Sequence, residues 1–208
     1  GLKAVILRKL GRTEAARRQI EENLRVDPFD YLSRFELTQI SPERDAVLAE
    51  MNALMRGFRE NYLQTARDYA EAGCLEEAVA VLDQCGDGYP MLAYYRAYYL
   101  KGMGEAEKAA EECRRADACS PLYCFPNKLE DIAVLECAAE LYPEGSMAYY
   151  YLGDLYYDKL QFERAVRLWE DAASRRPDFP TVHRNLALAY YNKQGEAEKA
   201  RAEMEKAF

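Results

Sequence analysis

Residues 147–177 read MAYYYLGDLYYDKLQFERAVRLWEDAASRRP and contain two amphipathic helical patterns in succession. In each pattern, apolar or small residues recur at spacings of three and four, as they do on one face of a helix. They are Tyr149, Leu152, Gly153 and Tyr156 in the first half, and Ala165, Trp169 and Ala172 in the second. Pro177 follows the second pattern, and a proline ring clashes with the carbonyl four residues earlier, so the helix ends before it. The stretch predicts two helices joined by a tight turn.

Three landmark residues return along the chain at shared intervals. A glycine, an alanine five residues later and a proline twelve residues after that occur three times, 62 and 31 residues apart. The three sets are Gly11, Ala16 and Pro28; Gly73, Ala78 and Pro90; and Gly104, Ala109 and Pro121. The glycine suits a left-handed residue at a helix end, the alanine a close helix crossing, and the proline the end of the second helix. The chain is therefore predicted to repeat a unit of two helices.

The stretch 147–177 resembles the tetratricopeptide repeat, a helical hairpin of about 34 residues. Every signature position of that repeat carries an acceptable residue here, from Tyr149 to the closing Pro177. The resemblance implies an all-α fold, a right-handed α-solenoid of antiparallel helix hairpins that stack to bury their apolar faces. It also implies that the first helices of the hairpins line a concave groove that binds peptides or helices of partner proteins.

The resemblance predicts a single array over residues 1–208, with two irregular units. The units are expected at about 1–28 (partial), 29–57 (irregular), 58–90, 91–121, 122–143 (half unit), 146–177 and 179–208 (partial). In the first irregular unit, Ser41 and Pro42 predict the start of a helix, but the glycine and alanine landmarks are missing. The second has room for one helix, Lys128 to Leu141, after a turn-rich stretch. The last unit carries one extra residue near Gln194.

The groove positions that the resemblance carries over to this chain form a candidate binding surface rich in tyrosine. They are Tyr94, Tyr98, Tyr150, Asp154, Tyr157, Asp158, Arg184 and Tyr191. Tyrosine offers a large contact area and few rotatable bonds, which suits a binding face. The net acidity and the carboxylates of Asp154 and Asp158, four residues apart on one helix face, favour a ligand that carries Lys or Arg. Tyrosine is also favoured at core positions of the repeat, so Tyr69, Tyr149, Tyr156 and Tyr190 are expected only to pack, and a doublet such as Tyr94–Tyr95 is expected to turn one ring inwards and one outwards.

The composition argues against several other classes of partner. The 28 Lys and Arg residues against 36 Asp and Glu give a net charge of −8. An acidic chain of this kind is a poor match for nucleic acid or for an anionic membrane. The longest run without a charged residue, Ala118–Asn127, is too short to span a bilayer.

Catalytic and metal chemistry have few residues available in this sequence. His183 is the only histidine and falls on a packing position of the repeat, and the six cysteines form no Cys-x-x-Cys pair. We therefore expect no enzyme, no catalytic residue, no metal and no cofactor. Free thiols favour a reducing, cytoplasmic compartment, and a disulfide between Cys119 and Cys124 is the alternative for an oxidising one.

The sequence thus predicts a non-catalytic protein–protein interaction scaffold that binds a peptide or helix in its groove. The alternative is an accessory array that packs on other domains of a larger, carbohydrate-active bacterial protein. Residues 123–126 and 179–187 resemble repeat arrays of large bacterial proteins with an uncharacterised mutarotase-like β domain. Gly1 and Phe208 lie at the ends of helical patterns, as in a segment of a longer protein, and apolar end faces of this kind favour a homodimer.

Overall fold

The structure, a computed structural model, describes residues 1–86 and 88–208, and that part of the chain contains helices and no β-strand. The predicted all-α fold is confirmed. The helices fall into two compact units, Gly1–Gly88 and Tyr89–Phe208. Neighbouring helices in each unit pair as hairpins, which is the predicted repeating element. That the hairpins continue as a single array over residues 1–208 stays a prediction.

The first unit consists of three hairpins in its described part. Its helices are α1 (Leu2–Lys9), α2 (Thr13–Val26), α3 (Tyr31–Ile40), α4 (Arg44–Met55), α5 (Arg59–Glu71) and α6 (Leu75–Leu82). The irregular segment 29–57 is therefore a hairpin as well. Its second helix begins at Arg44 and not at Pro42 as predicted, because Ser41 ends α3 and its hydroxyl accepts the backbone N–H of Glu43 in the intervening turn.

A buried ion network joins the helices of the first unit. The Arg8 guanidinium donates to Glu36 at 2.6 Å and to Glu77 at 2.7 Å, so it connects α1 with α3 and α6. Glu36 is fully buried and also accepts the Tyr69 hydroxyl at 2.8 Å. Since a buried charge is tolerated only when it is paired and hydrogen-bonded, these partners are what allow Glu36 to lie in the core.

The second unit holds the regular hairpins and the half unit. Its helices are α7 (Pro90–Gly102), α8 (Ala106–Asp117), α9 (Leu129–Leu141), α10 (Met147–Asp158), α11 (Phe162–Arg175), α12 (Pro180–Ala189) and α13 (Ala197–Lys206). Residues 118–128 form turns and bends, so α9 has no preceding helix to pair with, as the short spacing predicted. Pro90 starts α7, whereas the repeat pattern predicted that it would close the helix before it.

The glycine and alanine landmarks adopt the conformations that the repeat requires. Gly11, Gly73 and Gly104 follow helix ends with φ of +72°, +76° and +82°, a region that glycine enters without strain. The alanines that follow them by five residues, at positions 16, 78 and 109, are each completely buried. The extra residue of the last unit is absorbed by a π-helical turn, Tyr190–Gln194, which keeps the next landmark, Ala200, only 7% exposed.

Candidate functional site

A pocket of about 360 Å³ lies among three helices of the second unit. Helix α10 contributes Asp154, Tyr157 and Asp158, α11 contributes Trp169, and α12 contributes Arg184, Asn185 and Leu188. The three helices are neighbours because α10 and α11 form a hairpin and α12 packs against α11. The lining combines apolar and aromatic walls with a few convergent polar groups, as ligand pockets commonly do.

Asp154 is the centre of hydrogen bonding in this pocket. Its Oδ1 accepts the indole Nε1–H of Trp169 at 3.0 Å and the amide of Asn185 at 3.2 Å, and the Tyr150 hydroxyl also donates to the carboxylate. Burial raises the pKa of Asp154 to about 7, although these donors and the nearby Arg184 act to lower it. One carboxylate that changes its charge near neutral pH therefore connects α10, α11 and α12.

Aromatic rings form the wall next to Asp154. The ring centroid of Tyr157 lies 5.2 Å from that of Trp169 and 5.0 Å from that of Phe162. Lys193 lies over the Phe162 ring, with its Nζ 4.4 Å from the ring centroid. A Cβ on Gly153 would lie 2.3 Å from Cδ1 of Trp169, so the indole reaches its position only because residue 153 has no side chain.

Four of the predicted groove residues meet in this pocket, namely Asp154, Tyr157, Asp158 and Arg184. Tyr157 is half-buried, whereas Asp158 and Arg184 are exposed at the rim. Two further groove residues, Tyr98 and Tyr191, expose 40% and 66% of their surface but do not line the pocket. The predicted surface is therefore available in part.

The remaining two predicted residues, Tyr94 and Tyr150, are buried and offer almost no surface to a ligand, at 1% and 8% exposure. The thiol of Cys124, from the turns that replace the missing helix, lies near both hydroxyls, and Phe179 packs 4.9 Å from the Tyr150 ring. The expected in–out division of the Tyr94–Tyr95 doublet is wrong, since Tyr95 is only 3% exposed. The groove assignment of these two tyrosines is therefore corrected: both rings pack in the core, because Cys124 and Phe179 come from segments outside their own helices.

Sequence reasoning missed Asn185 and gave Trp169 only a packing role. Trp169 is 3% exposed, as a core residue should be, yet its N–H lies on the pocket side and is bound by Asp154. A buried indole usually finds an acceptor for its N–H. The sequence signal that could have predicted this hydrogen bond was therefore a carboxylate on α10, the helix that pairs with α11. Asn185 follows Arg184 directly, and nothing in its local pattern indicated a role.

The groups considered for chemistry take structural positions. His183 is 3% exposed, with Nδ1 at 2.6 Å from Glu203 and Nε2 at 2.8 Å from the carbonyl of Pro177. All six cysteines are free, so Cys119 and Cys124 form no disulfide here. Within residues 1–86 and 88–208, no group of three or more His, Cys, Asp or Glu side chains is placed to hold a metal ion.

The helices pair as hairpins with recurring glycine and alanine landmarks, and the pocket lies among α10, α11 and α12. These features define a helical repeat protein. Residues 150–207, which include this pocket, match the family model of the tetratricopeptide repeat. The predicted resemblance to the tetratricopeptide repeat family is confirmed by this segment. This class supports a protein–protein interaction scaffold.

Solved structures of MamA are similar to this chain at low identity. One MamA crystal structure is 19% identical, with 98% of this chain and 91% of that chain covered and a TM-score of 0.39. A MamA from Desulfovibrio magneticus RS-1 is 18% identical, with 72% and 92% covered and a TM-score of 0.36. TM-scores this low do not establish a shared arrangement of helices, so the class rests on the repeat itself. Among the described helices, none has the length and apolar character needed to cross a membrane.

Proposed function

We propose that this chain is a non-catalytic protein–protein interaction scaffold, and that its second unit binds a peptide or helix of a partner protein. The pocket lined by Asp154, Tyr157 and Arg184 is the anchor site of this surface. Tyr98 and Tyr191 are further contact residues, since both are exposed. The net charge of −8 supports a protein partner over nucleic acid.

The observation that carries the proposal is the composition of the pocket. Residues from three helices converge on one concavity that combines tyrosine, tryptophan, arginine and carboxylate groups. Aromatic residues and arginine contribute most of the binding energy in protein interfaces, where they fill desolvated pockets. A site of this kind can anchor one or two side chains of an extended segment.

A displayed library of protein fragments from the source organism tests the proposal. Fragments that the chain retains are remeasured on Arg184→Glu, which reverses the rim charge without touching the core. We expect the affinity to change at least tenfold: it rises if a retained fragment places a basic side chain beside Asp154, and it falls if the fragment places a carboxylate on Arg184. The matched control is Arg201→Glu, because Arg201 is also an exposed arginine, on α13, and pairs with Glu205 on the surface.

Two results would contradict the proposal. One is that no fragment is retained, and the other is that Arg184→Glu and Arg201→Glu bind the retained fragments as well as the original chain does. In either case the pocket is not an anchor. The binding surface would then have to be sought elsewhere on the chain.

A second candidate function is the accessory array of a larger bacterial protein, and the exposed loop before α9, together with the first residue of α9, favours it. Large apolar side chains there are 70–78% exposed, which is more than a free surface usually gathers in one place. They are Leu122, Tyr123, Phe125 and Leu129. The neighbouring domain of the parent protein, added in trans, should bind the original chain and bind Tyr123→Ser/Phe125→Ser at least tenfold more weakly. Absence of binding to the original chain would end this candidate.

Self-association and location complete the proposal. Leu2 and Ile6 on α1 are 46% and 59% exposed and Phe208 is fully exposed, which supports a homodimer through the terminal helices. Light scattering of the chain with and without Leu2→Ser/Ile6→Ser decides this point, since a dimer through this face should dissociate. The six free thiols support a reducing, cytoplasmic compartment.

A further inference from the structure

We propose that the pocket of α10–α12 receives the cationic side chain of a Lys or Arg residue, with the cation held by Asp154 and Asp158. This inference rests on the proposed function and adds the chemistry of the anchoring residue. It concerns one subsite, so peptide binding by the second unit and the recognition of a cation can be tested separately.

The charges that line the pocket favour a cation. Two carboxylates, Asp154 and Asp158, face one guanidinium, that of Arg184, so the lining carries one negative charge when Asp154 is ionised. Asp158 has an exposed side chain and pairs with Lys159 at 2.8 Å on the surface. Exposed pairs of this kind contribute little free energy and exchange readily, so Asp158 remains available to a ligand.

Asp154 has acceptor capacity to spare. An ionised carboxylate offers about four acceptor positions, and Asp154 uses three of them for Tyr150, Trp169 and Asn185. These three donors are neutral, so they bring no charge to balance the carboxylate. A bound ammonium or guanidinium would supply both a further donor and the missing positive charge.

The raised pKa of Asp154 supports this reading. Burial removes the carboxylate from water and raises its pKa by more than the hydrogen-bond donors and Arg184 lower it. The negative charge of the ionised form is therefore only partly balanced by its surroundings. A cation in the pocket would favour the ionised form, and by linkage the ionised form would favour the cation. The titratable or charged groups that face Asp154 are Tyr150 on its own helix and Arg184 on α12, with Asp158 at the rim.

The walls suit the stem of a long basic side chain. Tyr157 and Trp169 present neighbouring rings at 5.2 Å, and Leu188 from α12 adds an apolar surface. Lys and Arg bury their methylene stems on such surfaces while the charged end finds a polar partner. The faces of tyrosine and tryptophan rings also attract a cation directly.

The chain contains one tryptophan, and its indole N–H is bonded to Asp154, so a single signal reports on this site. The probes are N-acetyl-arginine amide and N-acetyl-lysine amide, with the norleucine amide as a neutral analogue and the glutamate amide as an acidic one. Binding is followed through the Nε1–H resonance of Trp169. We expect the two cationic probes to shift it saturably and the other two to have no effect. Binding should be about tenfold weaker at about pH 6 than at about pH 8, because Asp154 must be ionised.

Two variants give opposite expected results. Asp154→Asn should lose the cationic probe and its pH dependence, whereas Arg184→Gln should bind the probe at least threefold more tightly, because it removes the competing cation. Arg184 is exposed, so its replacement leaves the fold intact and keeps the test valid if Asp154→Asn fails to fold. The inference is overturned if the glutamate or norleucine amide binds equally well, or if Arg184→Gln weakens the cationic probe.

The outcomes separate this inference from the proposed function. If fragments bind and depend on Arg184 but no basic residue recurs among them, the second unit binds peptides and the cation site is wrong. If no fragment binds while the arginine probe does, the pocket recognises a cation and the scaffold proposal is wrong.

Discussion

Two aspartates of the second unit, Asp154 and Asp131, show how the chain treats a regular hairpin and an irregular segment differently. Asp154 lies inside α10 and accepts three side-chain donors, from Tyr150, Trp169 and Asn185. Asp131 lies in the first turn of α9 and accepts the backbone N–H groups of residues 127 and 128, both at 3.0 Å, together with the Tyr95 hydroxyl at 2.7 Å.

The difference lies in what each carboxylate does for the fold. Asp131 satisfies N–H groups that a helix start leaves without partners, and its charge lies at the favourable end of the helix dipole. It therefore fixes where α9 begins, in a segment that lacks the repeat landmarks. Asp154 has no such backbone role. The regular hairpin holds its helices together without such a contact. Burial raises the pKa of Asp154 there, and raised carboxyl pKa values of this kind are typical of functional sites.

The two regions also differ in how well they cover their apolar groups. In the regular hairpin, Trp169 packs directly on Gly153 and is 3% exposed. In the segment before α9, turns bring Cys124 into the core at 2% exposure but leave Tyr123 and Phe125 exposed by 78% and 72%. A helix buries a whole face, whereas a loop of the same length buries only single side chains.

The largest expected effect is on the pH dependence of stability through Asp154. Between about pH 4 and pH 7, the folded chain holds a proton on Asp154 that the unfolded chain has released, so the free energy of unfolding falls as pH rises. Asp154→Asn removes this titration. Relative to Asp154→Asn, the original chain should lose up to about 4 kcal/mol between about pH 4 and pH 8, measured by denaturant unfolding. Equal slopes for the two proteins would show that Asp154 is not withdrawn from water.

The next effect concerns the contact of Gly153 with Trp169. Gly153→Ala should lower the free energy of unfolding by about 3 kcal/mol, since the new methyl group overlaps the indole and the indole must shift from its contact with Asp154. The control is a double-mutant cycle with Trp169→Phe, whose smaller ring leaves space. The combined loss should be smaller than the sum of the single losses. Strict additivity would mean that the two residues do not touch.

Asp131→Ala tests the irregular segment. We expect a loss of about 2 kcal/mol in chemical denaturation, because the start of α9 and the buried Tyr95 hydroxyl both lose their acceptor. Glu130→Ala is the matched control, as its side chain is exposed in the same helical turn, and should change stability by less than about 0.5 kcal/mol. Similar losses for both variants would remove the distinction drawn between the two regions.

The smallest effect is expected at Tyr123. Its backbone has φ of +61°, which is unfavourable for a tyrosine, and its ring is 78% exposed. Tyr123→Gly relieves the backbone and loses little packing, but glycine loses more entropy on folding. Stability should stay within about 0.5 kcal/mol of the original by thermal unfolding. A loss above about 1 kcal/mol would show that the ring contributes to the fold.

Much of the fold could be predicted because its signals are local. The glycines with positive φ, such as Gly73 and Gly104, and the buried alanines that follow them were placed correctly. The missing helix before α9 followed from the short spacing of its prolines. The start of α4 was predicted wrongly, because Ser41 can end one helix as readily as it begins the next and only the turn geometry decides between them.

The candidate site was predicted only in part. Asp154, Tyr157, Asp158 and Arg184 were expected on one surface, and the pocket brings them together. Tyr94 and Tyr150 were assigned by the same repeat register, yet they are buried. The register indicates which way a side chain points from its helix, but it does not indicate what a neighbouring loop places over it.

The sequence by itself determined that this protein is a set of helix hairpins, because the residues that start, stop and space the helices act within one hairpin. The tertiary structure alone decided which tyrosines remain accessible and where the acidic pocket lies. The exposure of Tyr150 depends on Cys124 and Phe179, from segments on either side of α10. The raised pKa of Asp154 depends on burial by three helices at once, which no single stretch of sequence specifies.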